Sequence, residues 1–382
     1  MPIIYFCSMK YIFFILLLLL LSCKRKEITI PIISYNVGFN ANSKCSGAFY
    51  NFKTKQDIVY FGDTKTNKKI KFFIKDGTLI KEISIATIVN ELKEIDNIFI
   101  TTLDSINLFS LRSNKILTIN DRLEKISEIN LQKLIYKNGD VYQYGISPIS
   151  SNIIFKNNIL LASIWQENLN IKLDSTKNKY VNYSENLFNS TNLIQVSLNK
   201  RSNLQSKPIL NSFYKNISKV PQIFAEDFQY AIINKKLIVI SFYSSTIYIF
   251  NQLSGQLLKK VDILSNYSSI LNGGIDIKEA AGNNLQNIVN KEINKSMIRN
   301  IFFDSKKEIY EVVFQHQINQ NEDRNNRKFS VILYDKNFKK YKEVLFDDYK
   351  YNSYTPIFVD NKILLEIKSQ PLNIKKYGIF DF

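Results

Sequence analysis

Three observations predict an all-β fold, a six-bladed β-propeller closed by its N-terminal strand. Apolar stretches rich in Ile, Val, Tyr and Phe recur along the 382 residues, and these residue types suit pleated, half-buried strands. The stretches come in hairpin pairs of constant format. The pairs repeat at intervals of a size that suits one propeller blade each.

Four segments share the first hairpin format: IKFFIKDGTLIKEISI (70–85), KILTINDRLEKISEI (115–129), IYIFNQLSGQLLKKVDI (247–263) and SVILYDKNFKKYKEVLF (330–346). Each is an apolar strand, a turn bearing Asp, Asn or Gly, and a strand alternating apolar residues with Lys or Glu. A weaker copy spans 193–210. A second format, a short strand, a polar turn and a longer apolar strand, precedes them at 152–165, 230–243, 301–314 and 357–368. Together they predict four-stranded units near 47–85, 97–131, 152–210, 229–263, 301–346 and 357–382. The last unit supplies only three strands. EITIPIISYNV (27–37) offers the missing one, and a ring closed in this way leaves no open edge. The single domain is therefore expected over 29–382. No WD or kelch signature is present, so the fold class rests on strand format and spacing.

With the four strands of each unit labelled a to d outward from the axis, the a–b and c–d turns are short. The long insertions, 132–151, 167–191, 211–228, 264–300 and 315–329, all fall on b–c or d–a connections and so on one face. Long loops on a rigid scaffold are where function concentrates. A helix is expected inside 264–300, where Leu285, Ile288, Val289, Ile293 and Met297 recur at helical spacing.

Ahead of the domain stands FFILLLLLLSCKRKE (13–27). The apolar run Tyr11–Leu21 is half of the roughly 20 residues that a spanning helix needs. It has the length of a secretion-signal core, and Lys10 supplies the positive charge before it. Met9 opens MKYIFFILLLLLLSC, a start of the usual bacterial form. Leu20-Leu21-Ser22-Cys23 resembles the bacterial lipobox. That resemblance implies removal of residues 1–22, acylation of Cys23, and a lipidated tether over 23–28. Several chains on one residue anchor stably where one chain does not. The tether is short and leads into an outermost strand, which places the short-turn face nearest the membrane. Cys23 is not followed by Asp, which leans toward the outer membrane, facing the periplasm or the cell surface.

The formal net charge is +17. No basic block exceeds Lys24-Arg25-Lys26, and Lys elsewhere alternates with apolar residues as on a solvated strand face. Lys, Asn and Ile are enriched together, as in NNLQNIVNKEINK, a bias that A/T-rich codons share, and no nucleic-acid partner is expected. Cys45 is the one cysteine of the body, so the body holds no internal disulfide, and a small buried role is expected for it.

His316 is the only histidine, so any His-based metal centre or Ser-His-Asp triad would have to use it. No neighbouring residue in sequence supplies a partner, and it is expected at a strand end beside a polar loop. Gly273-Gly274 lacks the Lys of a phosphate-cradling loop, and no cofactor motif is present. The b strands end at Trp165, Tyr243, His316 and Lys368, all toward the long-loop face. Aromatic and polar groups there suit a small molecule, a glycan or a peptide.

With lipobox and blades both in view, the chain resembles the uncharacterised six-bladed β-propeller lipoproteins common in Bacteroidetes. The resemblance implies an anchored envelope scaffold that binds or interacts, and it carries over no catalytic residue. The alternative is a propeller enzyme acting on glycans or related envelope substrates, with carboxylates in place of histidine. A Cys23→Ala variant is expected to leave the membrane fraction for the soluble one in cell fractionation. A variant still membrane-bound and normally processed would contradict the lipid anchor.

Overall fold

Asp or Asn opens the third turn of four consecutive-format hairpins, and the structure shows why. In this computed structural model, Asp76, Asn120, Asn251 and Asp335 each turn a side-chain oxygen onto the amides that follow. A residue with positive φ then reverses the chain: Gly77, Leu123, Gly255 and Phe338. A one-residue register shift sits beside each turn, at Phe72/Phe73, Thr118/Ile119, Ile249/Phe250 and Leu333/Tyr334. The repeat in sequence is thus a repeated Asx turn with a bulge.

The structure describes residues 30–110, 112–113, 115–130, 142–146, 154–156, 159–168, 191–197, 205–211, 222–223, 228–241, 245–268, 275–276, 295–318, 326–347, 349–368, 371 and 373–382. For 42–44, 142–229, 241 and 275–276 the description is of the backbone. Ile32–Phe382 forms one compact unit. Cys23 lies outside the described residues, as does most of the segment expected to be helical within 264–300.

The chain opens with β1 (Ile32–Asn36). The first blade is β2 (Asn42–Asn51), β3 (Gln56–Asp63), β4 (Lys69–Ile74) and β5 (Leu79–Ser84). A short helix, α1 (Ala86–Leu92), leads to the second blade: β6 (Asn97–Thr102), β7 (Ser105–Ser110), β8 (Lys115–Ile119) and β9 (Lys125–Asn130). Then come β10 (Tyr142–Ile146), β11 (Ile154–Lys156), β12 (Ile159–Asn168), β13 (Thr191–Ser197), β14 (Gln205–Asn211) and the short β15 (Gln222–Ile223). The third blade is β16 (Phe228–Ile233), β17 (Lys236–Ser241), β18 (Thr246–Asn251) and β19 (Leu257–Asp262). β20 (Ile275–Asp276) pairs with β15. The fourth blade is β21 (Met297–Asp304), β22 (Ile309–Gln315), β23 (Phe329–Asp335) and β24 (Lys340–Phe346). β25 (Tyr351–Val359), β26 (Lys362–Ile367) and β27 (Ile374–Phe380) join β1 in the fifth, in the order β1-β27-β26-β25.

The fold is all-β and a β-propeller, with five four-stranded blades rather than the six expected. The segment expected to be a sixth blade, 152–210, belongs instead to a five-stranded sheet. Its central strand β12 is ten residues long and takes two partners along one edge. β10 pairs with Ile164–Asn168 and β11 with Ile159–Leu161. The hairpin 152–165 reads like the others, but nothing in its pattern announces the extra strand upstream.

Side chains from adjacent blades merge into continuous apolar layers. One unites the first and second blades around Ile58, Ile70, Phe72, Ile98, Ile106 and Leu108, with Ile88, Val89 and Leu92 of α1. Another unites the third and fourth around Ile238, Ile240, Ile249, Val312 and Phe314. The outermost strands β5, β9, β19 and β24 keep exposed positions, which is why they carry alternating Lys and Glu. Among the described residues no helix is long and apolar enough to cross a membrane.

The fifth blade meets the first through β1, which pairs antiparallel with β27 from Ile32↔Gly378 to Asn36↔Ile374. Its alternation IISYN turns Ile33 and Tyr35 inward. Tyr35 is fully buried and packs against Phe61, Phe73 and Tyr377 with ring centroids 5.3, 5.5 and 5.8 Å away. Its hydroxyl donates to Lys75 O at 3.2 Å. Gly77 reverses the β4–β5 turn against this strand: a Cβ there would lie 2.4 Å from Ser34 O. Only glycine allows that approach.

One buried group is poorly served. Glu311 of β22 is fully buried, and neither carboxyl oxygen has a hydrogen-bond partner. Burial, then the neighbouring Asp304, pushes its carboxyl up to about 8; Lys307 opposes this and Asp381 adds to it. The folded state therefore holds a proton that the unfolded chain gives up above about pH 4.5. Stability should fall as pH rises from about 4.5 to 8. Urea unfolding across this range is expected to show the loss in the wild type, on the order of 3–5 kcal/mol, and to show it largely removed in Glu311→Gln.

Candidate functional site

Two of the innermost strands bow out of register where the fifth blade adjoins the first. In β25 the pairing jumps from Asn352↔Glu366 to Ile357↔Leu364, so that residues 353–356 face Leu365 alone. In β2 it jumps from Asn42↔Gly62 to Ser46↔Phe61, leaving residues 43–45 without a counterpart. Pro356 is compatible with such a bulge, since proline has no N–H for a ladder. Between the bowed strands lies a cavity of about 270 Å³. It is at the small end of ligand pockets.

Phe61, Ile357, Pro356 and Tyr377 make its apolar wall, with Ala41 beside them. Ser46, Asn352, Thr355, Glu366 and Lys375 supply the polar groups. Glu366 organises them. Its Oε1 accepts from Lys375 Nζ at 2.6 Å. Its Oε2 accepts from Thr355 Oγ1 at 3.3 Å and Asn352 Nδ2 at 3.4 Å. Both side chains of the ion pair are mostly buried, which strengthens it relative to a surface pair. The two bonds to Oε2 sit at the long end of the hydrogen-bond range, so this oxygen has capacity for a shorter, external donor. Tyr377 forms the floor, and burial, then the charge of Glu366, holds its phenol well above the ordinary value. It stays a neutral hydroxyl at any physiological pH.

Of the residues singled out from sequence, the two whose side chains are described, His316 and Lys368, do not line this cavity. Trp165 lies on β12 opposite Gly145 of β10, within the part described as backbone. Tyr243 lies outside the described residues. Lys368 follows β26, half-buried, its amide donating to Lys350 O at 2.9 Å. His316 directly follows β22 and is 5% exposed. Its Nδ1 is 2.9 Å from Ser268 Oγ and its Nε2 is 2.7 Å from Ser330 Oγ. Tyr267 and Phe314 pack edge-on against the ring. Burial pushes the imidazole down to about 4, with Glu343 opposing and Lys328 and Arg327 adding to the fall, so it is neutral at pH 7. Beside it, Gln315 Oε1 accepts from Arg299 Nε at 2.8 Å, while Gln315 Nε2 donates to Ser353 Oγ at 2.7 Å.

Among the described residues no group of three or more His, Cys, Asp or Glu side chains could hold a metal ion. Cys45 is fully buried, and desolvation pushes its thiol up to about 12. It is a packed side chain and not a nucleophile at neutral pH.

No protein-family model and no curated protein matches the sequence. Solved structures do share its shape. The chain is similar to a member of the DUF4221 family from Bacteroides vulgatus, with a TM-score of 0.66 and 14% identity over 92% of this chain and 96% of that one. It is less similar to a streptogramin B lyase, at 0.43 and 13% over 92% and 98%. A protein of unknown function from Bacteroides caccae gives 0.37 and 10% over 79% and 81%. At 14% identity the likeness to the first is a likeness of fold.

Proposed function

We propose that the protein is a lipid-anchored binding protein of the cell envelope, tethered through Cys23, whose ligand is a small polyhydroxylated molecule of the glycan class. The observation that carries this reading is the cavity at the junction of the fifth and first blades. Phe61, Pro356 and Ile357 offer an apolar face, while Glu366 Oε2, Lys375, Asn352, Thr355 and Ser46 offer donors and acceptors in the same small volume. A sugar ring has this mixture: an apolar face of C–H groups edged with hydroxyls.

The bulges that open the cavity lie near the starts of innermost strands, beside the d–a connections and so toward the long-loop face. Hydrolysis by a pair of carboxylates needs two of them, roughly 5–9.5 Å apart across the scissile bond. The described wall offers one carboxyl group, Glu366, whose Oε1 is taken up by Lys375 Nζ at 2.6 Å. Binding is therefore favoured over glycan cleavage.

Glycan-array screening followed by calorimetry on the full chain in detergent tests the reading. A bound oligosaccharide is expected, with at least about tenfold weaker affinity in Glu366→Gln and in Lys375→Met, the cost of a lost charge-assisted hydrogen bond. Unchanged affinity in both variants would move the ligand elsewhere, and turnover of the bound sugar would replace binding by catalysis.

A further inference from the structure

His316 stands at the centre of a string of polar side chains that the fold has buried with care. Ser296 Oγ is 3.2 Å from Ser268 Oγ, which is 2.9 Å from His316 Nδ1. His316 Nε2 is 2.7 Å from Ser330 Oγ. Ser330 stands beside Glu343 and helps hold its charge, and the Glu343 side chain has no exposure to solvent. Glu343 is fixed from three more directions: Ser265 Oγ donates at 2.7 Å, Asn266 N at 2.8 Å and Lys340 Nζ at 2.7 Å.

The direction of the hydrogen bonds follows from their acidic end. Burial works against the charge on Glu343, but Lys340, the Asn266 amide and the Ser265 and Ser330 hydroxyls outweigh it and hold the carboxyl below its ordinary value. An ionised carboxylate only accepts. With Ser330 turning its one proton toward that charge, it accepts from His316 Nε2. In this arrangement the proton of the neutral ring sits on Nε2, and Nδ1 is left bare. A bare Nδ1 accepts, so Ser268 directs its O–H at it. Each member of the chain has a single role: hydroxyl, base, relay, carboxylate. Ser296 Oγ donates to the Ser268 oxygen and helps hold it in place. Ser268 itself is half-exposed, while His316, Ser330 and Ser296 are buried. The arrangement thus opens to solvent at its hydroxyl end.

We propose that Ser268 is a nucleophilic serine, with His316 as its base and Ser330 relaying the orienting charge of Glu343, and that it takes activated acyl esters. Ser268 Oγ adds to the ester carbonyl carbon while its proton passes to His316 Nδ1. The carbon–oxygen bond to the alcohol then breaks, the alcohol leaves with that proton, and the acyl group stays on Ser268. Water, giving a proton to the same nitrogen, attacks the acyl-serine; the bond to Oγ breaks, and Ser268 recovers its proton as the acid departs. The imidazolium formed in passing is met by Glu343 through Ser330. This activity is independent of the glycan cavity between the fifth and first blades and stands or falls apart from it.

The same bonds also pin the turn 264–268 to the fourth blade, so a test must see reactivity and not only folding. The full chain in detergent is incubated with a fluorophosphonate, and the modified serine is located by peptide mass spectrometry. A single adduct on Ser268 is expected, absent from Ser268→Ala. Its rate of formation should fall by about 100-fold in His316→Phe, the usual contribution of a general base, with the aromatic contacts kept. Ser330→Ala should lower it at least about tenfold, since it cuts the relay and leaves the ring in place. Circular dichroism checks the fold, and if His316→Phe is misfolded, Ser330→Ala decides alone. No adduct, an adduct on another serine, or wild-type labelling rates in the folded variants would each overturn the proposal.

Discussion

Everything in this molecule depends on one strand pairing, β1 with β27. A sheet ring has an unpaired edge wherever it is left open, and an open edge is both unsatisfied and adhesive. Ile32–Asn36 closes it by lying antiparallel along Ile374–Phe380. The pairing is secured from inside by Tyr35, Phe61, Phe73 and Tyr377, an aromatic cluster drawn from β1, the first blade and the fifth. Edge-to-face rings of this kind add to what their burial alone contributes. The ion pair Lys75–Asp360, at 2.8 Å, joins the same two blades at the turns, where its exposure makes it a minor partner.

The closure also shapes the chemistry. Phe61 and Tyr377 belong both to the cluster around Tyr35 and to the wall of the cavity. The strand that closes the ring and the pocket beside it thus share a floor. The bulges in β2 and β25 open the space, and the packed aromatic layer keeps it from collapsing. The His316 string is built differently: a loop, 264–268, is laid against the fourth blade and tied to Glu343 and Ser330. The first site comes from a failure of regular pairing, the second from a loop docked on a regular blade.

Much of the scaffold was legible because it is local. Asp76, Asn120, Asn251 and Asp335 sit at fixed places in their hairpins, and an Asx turn is settled by neighbours in sequence. The exposed alternation of the outer strands was legible for the same reason. The blade count was not, since the extra strand Tyr142–Ile146 shares an edge of β12 that the pattern assigns to Ile154–Lys156 alone. Helix α1 escaped because seven residues with Thr, Ile and Val among them read as strand, although Ile85, Ile88, Val89 and Leu92 mark a helical face. His316 could be placed at a strand end, but Ser268, 48 residues earlier, joins it only through the tertiary fold. Glu366 and Lys375 stood in strands that looked ordinary. Pro356, just ahead of the predicted hairpin 357–368, was the one local sign of the bulge that brings them a cavity.

The claim that the N-terminal strand locks the ring is tested most directly by amide hydrogen exchange at β1. The hydrogen-bonded amides of Ile32–Asn36 should exchange only with global unfolding, at the same free energy as those of β26 and β27, because opening the edge opens the ring. If they exchange instead by local fraying, several kcal/mol more easily than β26 while the blades stay protected, β1 is an accessory strand and the closure account fails.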